Sequence, residues 1–367
     1  MSTANQNETL PTDSPPPRTG SPPRDSKGWD GKLRVEKRAE VVNADILSDP
    51  EYSDEDAPPV EQIEADEDLL DDYPLDTDEI DLVHRRVSSI PSLRLERFKA
   101  VEKLCLRQNG IAHINFPEGF GQVLVDLDLY DNLISHIKDL EAFQELTSLD
   151  LSFNNIKHIK NVNHLKKLTD IYFVQNKISK IEGLDGLSSL RNLELGANRI
   201  REIENLESLT NLEELWLGKN KITEIKNITH FTNLQILDLK SNRLTTLSSI
   251  PPLPSLQELY LSHNALSALS PSLTSLPSLR VLDISNNQIR HLEHLAPLSA
   301  LEELWASSNL LDSFDEVEKE LGGIEGLETV YLEANPLQLR GPAVYRNKVR
   351  LALPGVKQID ATFVRVS

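Results

Sequence analysis

Side chains able to do chemistry are plentiful in this chain, but they recur like a pattern instead of gathering into a site. His113, His136 and His158 share one offset, and three stacked imidazoles could hold a zinc ion. The same offset reads Lys180, Glu202 and Glu224 in the following periods, which marks an ordinary solvated position. Carboxylates such as Asp150 and Asp283 invite an acid–base reading, yet that chemistry needs an enclosed pocket to shift their pKa values. No nucleophile–base pair, HExxH, CxxC or glycine-rich phosphate loop accompanies them. The expectation is therefore a chain that is no enzyme and carries no metal or cofactor.

The recurrence itself is informative. From residue 101 the chain repeats L-x-x-L-x-L-x-x-N-x-I-x-x-I, as in LTSLDLSFNNIKHI, LRNLELGANRIREI and LEELWLGKNKITEI. Its asparagines fall at Asn109, Asn132, Asn154, Asn176, Asn198, Asn220, Asn242, Asn264, Asn287, Asn309 and Asn335. A degenerate copy precedes them, with Ile80, Leu82, Val87 and Ile90 at the apolar places and Arg85 in place of asparagine. Internal repetition at this period decides the fold: an α/β solenoid, a right-handed leucine-rich-repeat superhelix of about 12 repeats of 22 residues. It predicts a concave parallel sheet, short helical turns on the convex side and a C-terminal cap. In L-x-L the leucines point inward and the residue between them outward. Asparagine follows because the chain turns out of the strand there, leaving backbone groups that its side chain can bond.

The residue between the leucines is the useful one. In order it reads Cys105, Asp128, Asp150, Tyr172, Glu194, Trp216, Asp238, Tyr260, Asp283, Trp305 and Tyr331. The neighbouring outward place adds Asp126, Asp170, Glu214, Glu258 and Glu303. Large amphipathic rings among charges are what binding hot spots contain, and the acids suit a basic protein partner.

Composition agrees. Acidic residues number 58 against 38 basic, a formal net charge of -20, so the basic footprint of a nucleic-acid binder is missing. Residues 51–80 hold 14 acidic residues and no basic one. Cys105 is the sole cysteine, which excludes an intrachain disulfide and suits a reducing compartment. No apolar run of signal-peptide or membrane-spanning length occurs, so an intracellular, soluble chain without membrane partners is expected. Three regions follow: 1–77, disordered, Pro/Ser-rich and then acidic; 78–336, the array; 337–367, the cap. Ser14 and Ser21 each precede proline, the minimum for a proline-directed kinase. FDEVEKEL is spaced as a convex helix and VYRNKVRLAL as a capping one.

With the outward row laid out, the chain resembles the nuclear leucine-rich-repeat regulatory subunits of type 1 serine/threonine protein phosphatase. The likeness spans roughly residues 78–367 and includes LCLRQN, LDLYDN, LGKNKIT, ELYLSHN, ETVYLEANPLQ and the cap LALPGVKQIDATFVR. It implies that the concave face grips the phosphatase catalytic subunit through Asp150, Tyr172, Glu194, Trp216, Asp283, Glu303, Trp305 and Tyr331. In the family's better-known members phenylalanine stands at the places of Tyr172 and Trp216, so the added O–H and N–H need partners here. The resemblance also implies a second, small phosphatase inhibitor in a ternary complex, a role in chromosome segregation and mitosis, and residence in the nucleus and cytoplasm. The short Arg/Lys-Val-x-Phe docking motif of other phosphatase regulators is absent. A reading from the repeats alone leaves a structural adaptor of another nuclear or cytoskeletal complex as the alternative.

Overall fold

A computed structural model describes residues 69–247 and 250–364; Ser14, Ser21 and most of the acidic run lie outside them. Each period makes one turn and lays down one three-residue strand. These are β1 (Glu79–Asp81), β2 (Lys103–Cys105), β3 (Asp126–Asp128), β4 (Ser148–Asp150), β5 (Asp170–Tyr172) and β6 (Asn192–Glu194). The series continues with β7 (Glu214–Trp216), β8 (Ile236–Asp238), β9 (Glu258–Tyr260), β10 (Val281–Asp283), β11 (Glu303–Trp305) and β12 (Thr329–Tyr331). All twelve pair in parallel with their sequence neighbours, in one register without slippage. The period-2 rule then sets every side chain: Leu149 and Leu151 are fully buried, while Asp150 between them faces out.

Strands of three residues are held by what surrounds them. The Asn198 side-chain amide donates to Phe173 O (2.8 Å) in the preceding repeat and to Leu195 O and Gly196 O (both 3.1 Å) in its own. Its Oδ1 accepts the Ile178 N–H at 3.0 Å. The same set of bonds recurs at Asn132, Asn154, Asn176 and Asn220, so one buried polar side chain per repeat satisfies the turn of two repeats. At Asn109 the acceptor is shared by Arg85 N and Val87 N, which supplies the degenerate first repeat with the bonds its own arginine cannot make.

Two features of this turn carry no sequence signature. The residue before each asparagine is left-handed, with φ near 55° at Phe153, Gln175, Ala197, Lys219 and Ser241, although none of these types favours that region. Its N–H reaches the next repeat, as Phe153 N does to Val174 O (2.7 Å), and that bond holds the conformation. On the far side a second ladder joins Asn161, Asn205 and Asn227 to Ile137 O, Ile181 O and Ile203 O at 2.7–2.8 Å. Gly183 occupies the equivalent place with φ 71°; a Cβ there would lie 2.2 Å from Ile159 O, so a side chain at this repeat would require the backbone to shift.

Helical turns are few: 3-10 segments at Pro91–Leu93, Leu95–Arg97 and Pro271–Ser275, and α1 (Phe314–Leu321), where FDEVEKEL placed it. The Ser313 hydroxyl caps α1 by accepting the Glu316 N–H at 3.2 Å. The folded array begins before the boundary expected at 78. Leu70 is buried in the same core and Asp71 pairs with Arg97 at 3.0 Å, because the open end of the leucine stack must be covered. At the other end α2 (Pro336–Leu339) and α3 (Pro342–Ala352, the VYRNKVRLAL helix) lead to β13 (Gln358–Ile359), parallel to β12. A final strand, β14 (Thr362–Phe363), pairs antiparallel with β13. No helix among the described residues is long and apolar enough to cross a membrane.

Candidate functional site

The strand register assembles the outward residues into two parallel rows. In the first, Asp150, Tyr172, Glu194, Trp216, Asp238, Tyr260, Asp283, Trp305 and Tyr331 lie on consecutive rungs. In the second, two residues earlier on each strand, stand Asp170, Glu214, Glu258 and Glu303. Seven of the eight residues carried over from the family therefore share one row, and Glu303 lies beside it.

Rings gather at the C-terminal end. Trp216 stacks with Tyr260 at 6.4 Å, Tyr260 tilts against Trp305 at 6.2 Å, and Trp305 meets Tyr331 edge-on at 6.0 Å. The intervening rungs are short aspartates, Asp238 and Asp283, only 6% and 5% exposed beneath the rings. Each of three rings has its polar tip tied down by the glutamate two residues before it. The Trp216 N–H donates to Glu214 (3.0 Å), the Tyr260 O–H to Glu258 (2.6 Å) and the Trp305 N–H to Glu303 (3.0 Å). The N–H that Trp216 adds to the family pattern thus has its partner within the chain. The Tyr172 hydroxyl lies 3.5 Å from the Asn192 amide, a much weaker contact.

Aspartates and glutamates of the row differ in duty. Asp150, Asp238 and Asp283 each accept the N–H of the residue two places on, at 2.7–3.0 Å, and so also shape the turn. Glu194 makes no such bond; burial, then the charges of Asp150, Glu214 and Asp238, raise its pKa. Asp126, Asp128 and Asp238 are shifted upward as well, burial leading in each case. Burial and the charges of Asp170 and Glu194 push the Tyr172 hydroxyl up to about 12. The Cys105 thiol, half-buried on the same row, is pushed up to about 11, which leaves it unreactive near neutrality.

The three histidines do not converge. His136 sits 2.9 Å from Ser135 Oγ and His158 2.9 Å from Glu182, and all three rings are exposed. Reasoning from the repeat missed the ring–glutamate bonds and undervalued Tyr260, whose place in the row was visible but whose contacts with both tryptophans were not.

Leucine-rich-repeat family profiles match residues 144–200, 210–266 and 254–311. Over 309 residues the chain is 66% identical to the protein phosphatase 1 regulatory subunit SDS22 of Schizosaccharomyces pombe, covering 84% of this chain and 92% of that one. It is 70% identical over 46 residues to human protein phosphatase 1 regulatory subunit 7, 12% of each chain. Among solved structures, an internalin from Listeria monocytogenes shares the fold with a TM-score of 0.61 at 24% identity, over 78% of this chain and 87% of that one. Repeat, row and cap lead to one assignment: the chain belongs to the SDS22 family of leucine-rich-repeat regulatory subunits of protein phosphatase 1.

Proposed function

We propose that this chain holds the catalytic subunit of type 1 protein phosphatase against the outward face of its sheet, through Asp150, Tyr172, Glu194, Trp216, Asp283, Glu303, Trp305 and Tyr331. One observation carries the reading. Four rings touch in succession along a ladder where they alternate with carboxylates, in a chain two-thirds identical to a phosphatase regulatory subunit. The indole N–H groups are already bonded to Glu214 and Glu303, so covering the two tryptophans strands neither donor. The rings act as desolvated anchors; Glu194 and the other acids steer and pair with lysine or arginine of the phosphatase. The chain regulates by holding, with no chemistry of its own. The same reading extends to control of phosphatase assembly in mitosis, to a small inhibitor as a third component, and to residence in nucleus and cytoplasm. Residues 1–77 are assigned no contact with the phosphatase.

Trp305→Ala is expected to weaken binding of the purified catalytic subunit at least tenfold, or roughly 1.4 kcal/mol, with the fold intact. Titration calorimetry giving an unchanged affinity refutes the assignment. A wild-type chain that fails to bind the catalytic subunit at all favours the adaptor alternative.

A further inference from the structure

The N-terminal third of the array exposes a second cluster of rings that none of the family contacts includes. Phe153 is 40% exposed, left-handed at φ 56°, and packs on Tyr130 with ring centroids 4.8 Å apart. The Arg107 guanidinium lies over the Tyr130 ring at 4.2 Å and pairs with Asp128 at 3.3 Å. A bulky residue in the left-handed region is costly, by about 1–2 kcal/mol, and an exposed ring recovers little of that in the free chain. At the same place other repeats carry Gln175, Ala197, Lys219 or Ser241, so the turn itself does not need an aromatic. The conformation is common to every repeat, so what is particular to Phe153 is an exposed ring where the turn needs none, and that points outward, to something that covers it.

We infer that Tyr130 and Phe153, braced by Arg107, form a second anchor for the same folded partner, the phosphatase catalytic subunit. The inference rests on the reading above. The cluster adjoins Asp150, separated from it along the chain only by Leu151, which points into the core, and Ser152, so a domain seated on Asp150 and Trp216 lies over both rings. Asp128, Asp131 and Asp150 border it while Arg107 is already committed to Asp128; the matching surface is therefore apolar with lysine or arginine at its rim. Phe153 and Trp305 stand seven rungs apart, about 34 Å at strand spacing, a separation that one globular domain bridges on a rigid ladder. Two anchors at that distance fix orientation as well as affinity.

Phe153→Gly separates docking from folding, because it deletes the ring and removes the left-handed strain together. Calorimetric titration of the catalytic subunit into wild type, Phe153→Gly and Trp305→Ala decides the matter. Phe153→Gly is expected to bind at least fivefold more weakly while its Tm stays at or above that of the wild type. Weakening of less than fivefold overturns the second anchor, whatever Trp305→Ala does. Absence of wild-type binding overturns the function proposed above and this inference with it; wild-type binding that only Trp305→Ala impairs overturns this inference alone. Should the glycine variant lose its fold, Phe153→Asn, which also tolerates a positive φ, is read against the same threshold.

Discussion

One amide per turn does most of the polar work in this molecule. Asn198 makes four hydrogen bonds at 2.8–3.1 Å while 7% exposed. Asn198→Ala leaves several buried backbone groups without partners and is expected to destabilise the array by about 1–3 kcal/mol. An unaltered urea midpoint would contradict the ladder. The asparagine role was legible in the sequence because it recurs in phase with the leucines. The left-handed residue before it was not: Phe153, Ala197 and Lys219 have no preference for that conformation, and a bond to the next repeat, invisible in one period, imposes it. For the same reason the ring–glutamate bonds escaped notice, since ELW and ELY read as outward acids and outward rings, not as pairs.

Among the elements, the cap is where the pattern stops and different bonds take over. Arg346 of α3 donates to Ile359 O and Thr362 O (2.8 Å) and to Phe363 O (3.0 Å), clamping the β13–β14 hairpin. Asp360, left-handed and 9% exposed, accepts from Leu332 N (2.9 Å), Glu333 N (3.1 Å) and the Tyr345 hydroxyl (3.2 Å), so its carboxylate takes the Leu332 N–H that a backbone carbonyl of the next strand would take within the array, as Tyr331 O takes that of Ala306. Charge-assisted bonds of this kind are worth about 1.5–3 kcal/mol each, so Arg346→Ala is expected to loosen the hairpin first. Hydrogen exchange should then rise at the β13 and β14 amides while β4–β9 stay protected; uniform loss across all strands would show that the clamp acts globally. VYRNKVRLAL announced its helix by spacing. The replacement of a strand carbonyl by the Asp360 carboxylate did not announce itself, because it depends on a hairpin that occurs once.

At the scale of the whole molecule the outward face is a strip of like charge. Asp126, Asp128, Glu194 and Asp238 have pKa values raised by burial and, among other effects, by neighbouring carboxylates. Folded carboxylates with raised pKa hold protons that the unfolded chain has already released, so stability falls as pH rises through that window and recovers as pH is lowered into it. Glu302, lowered by its bond to Arg280, and Glu320, lowered against the opposing effect of burial by Lys319 and the Ala296 and Leu295 N–H groups, work in the opposite sense. Tm is therefore expected to rise on moving from neutral pH toward the carboxylate range, with added salt flattening the profile. A Tm that falls steadily over that interval in low salt would rule this out. Bound lysines and arginines of a partner would supply at pH 7 the relief that protons supply in acid.

Because every bond of the ladder reaches only from one repeat to the next, the array treats a whole period as an interchangeable part. Recombination that duplicates or excises 22 codons in frame leaves each remaining asparagine with its full set of acceptors. Such an event spares folding yet changes the distance between the rings at Phe153 and those at Trp305, so selection on its length would act through the partner's footprint alone.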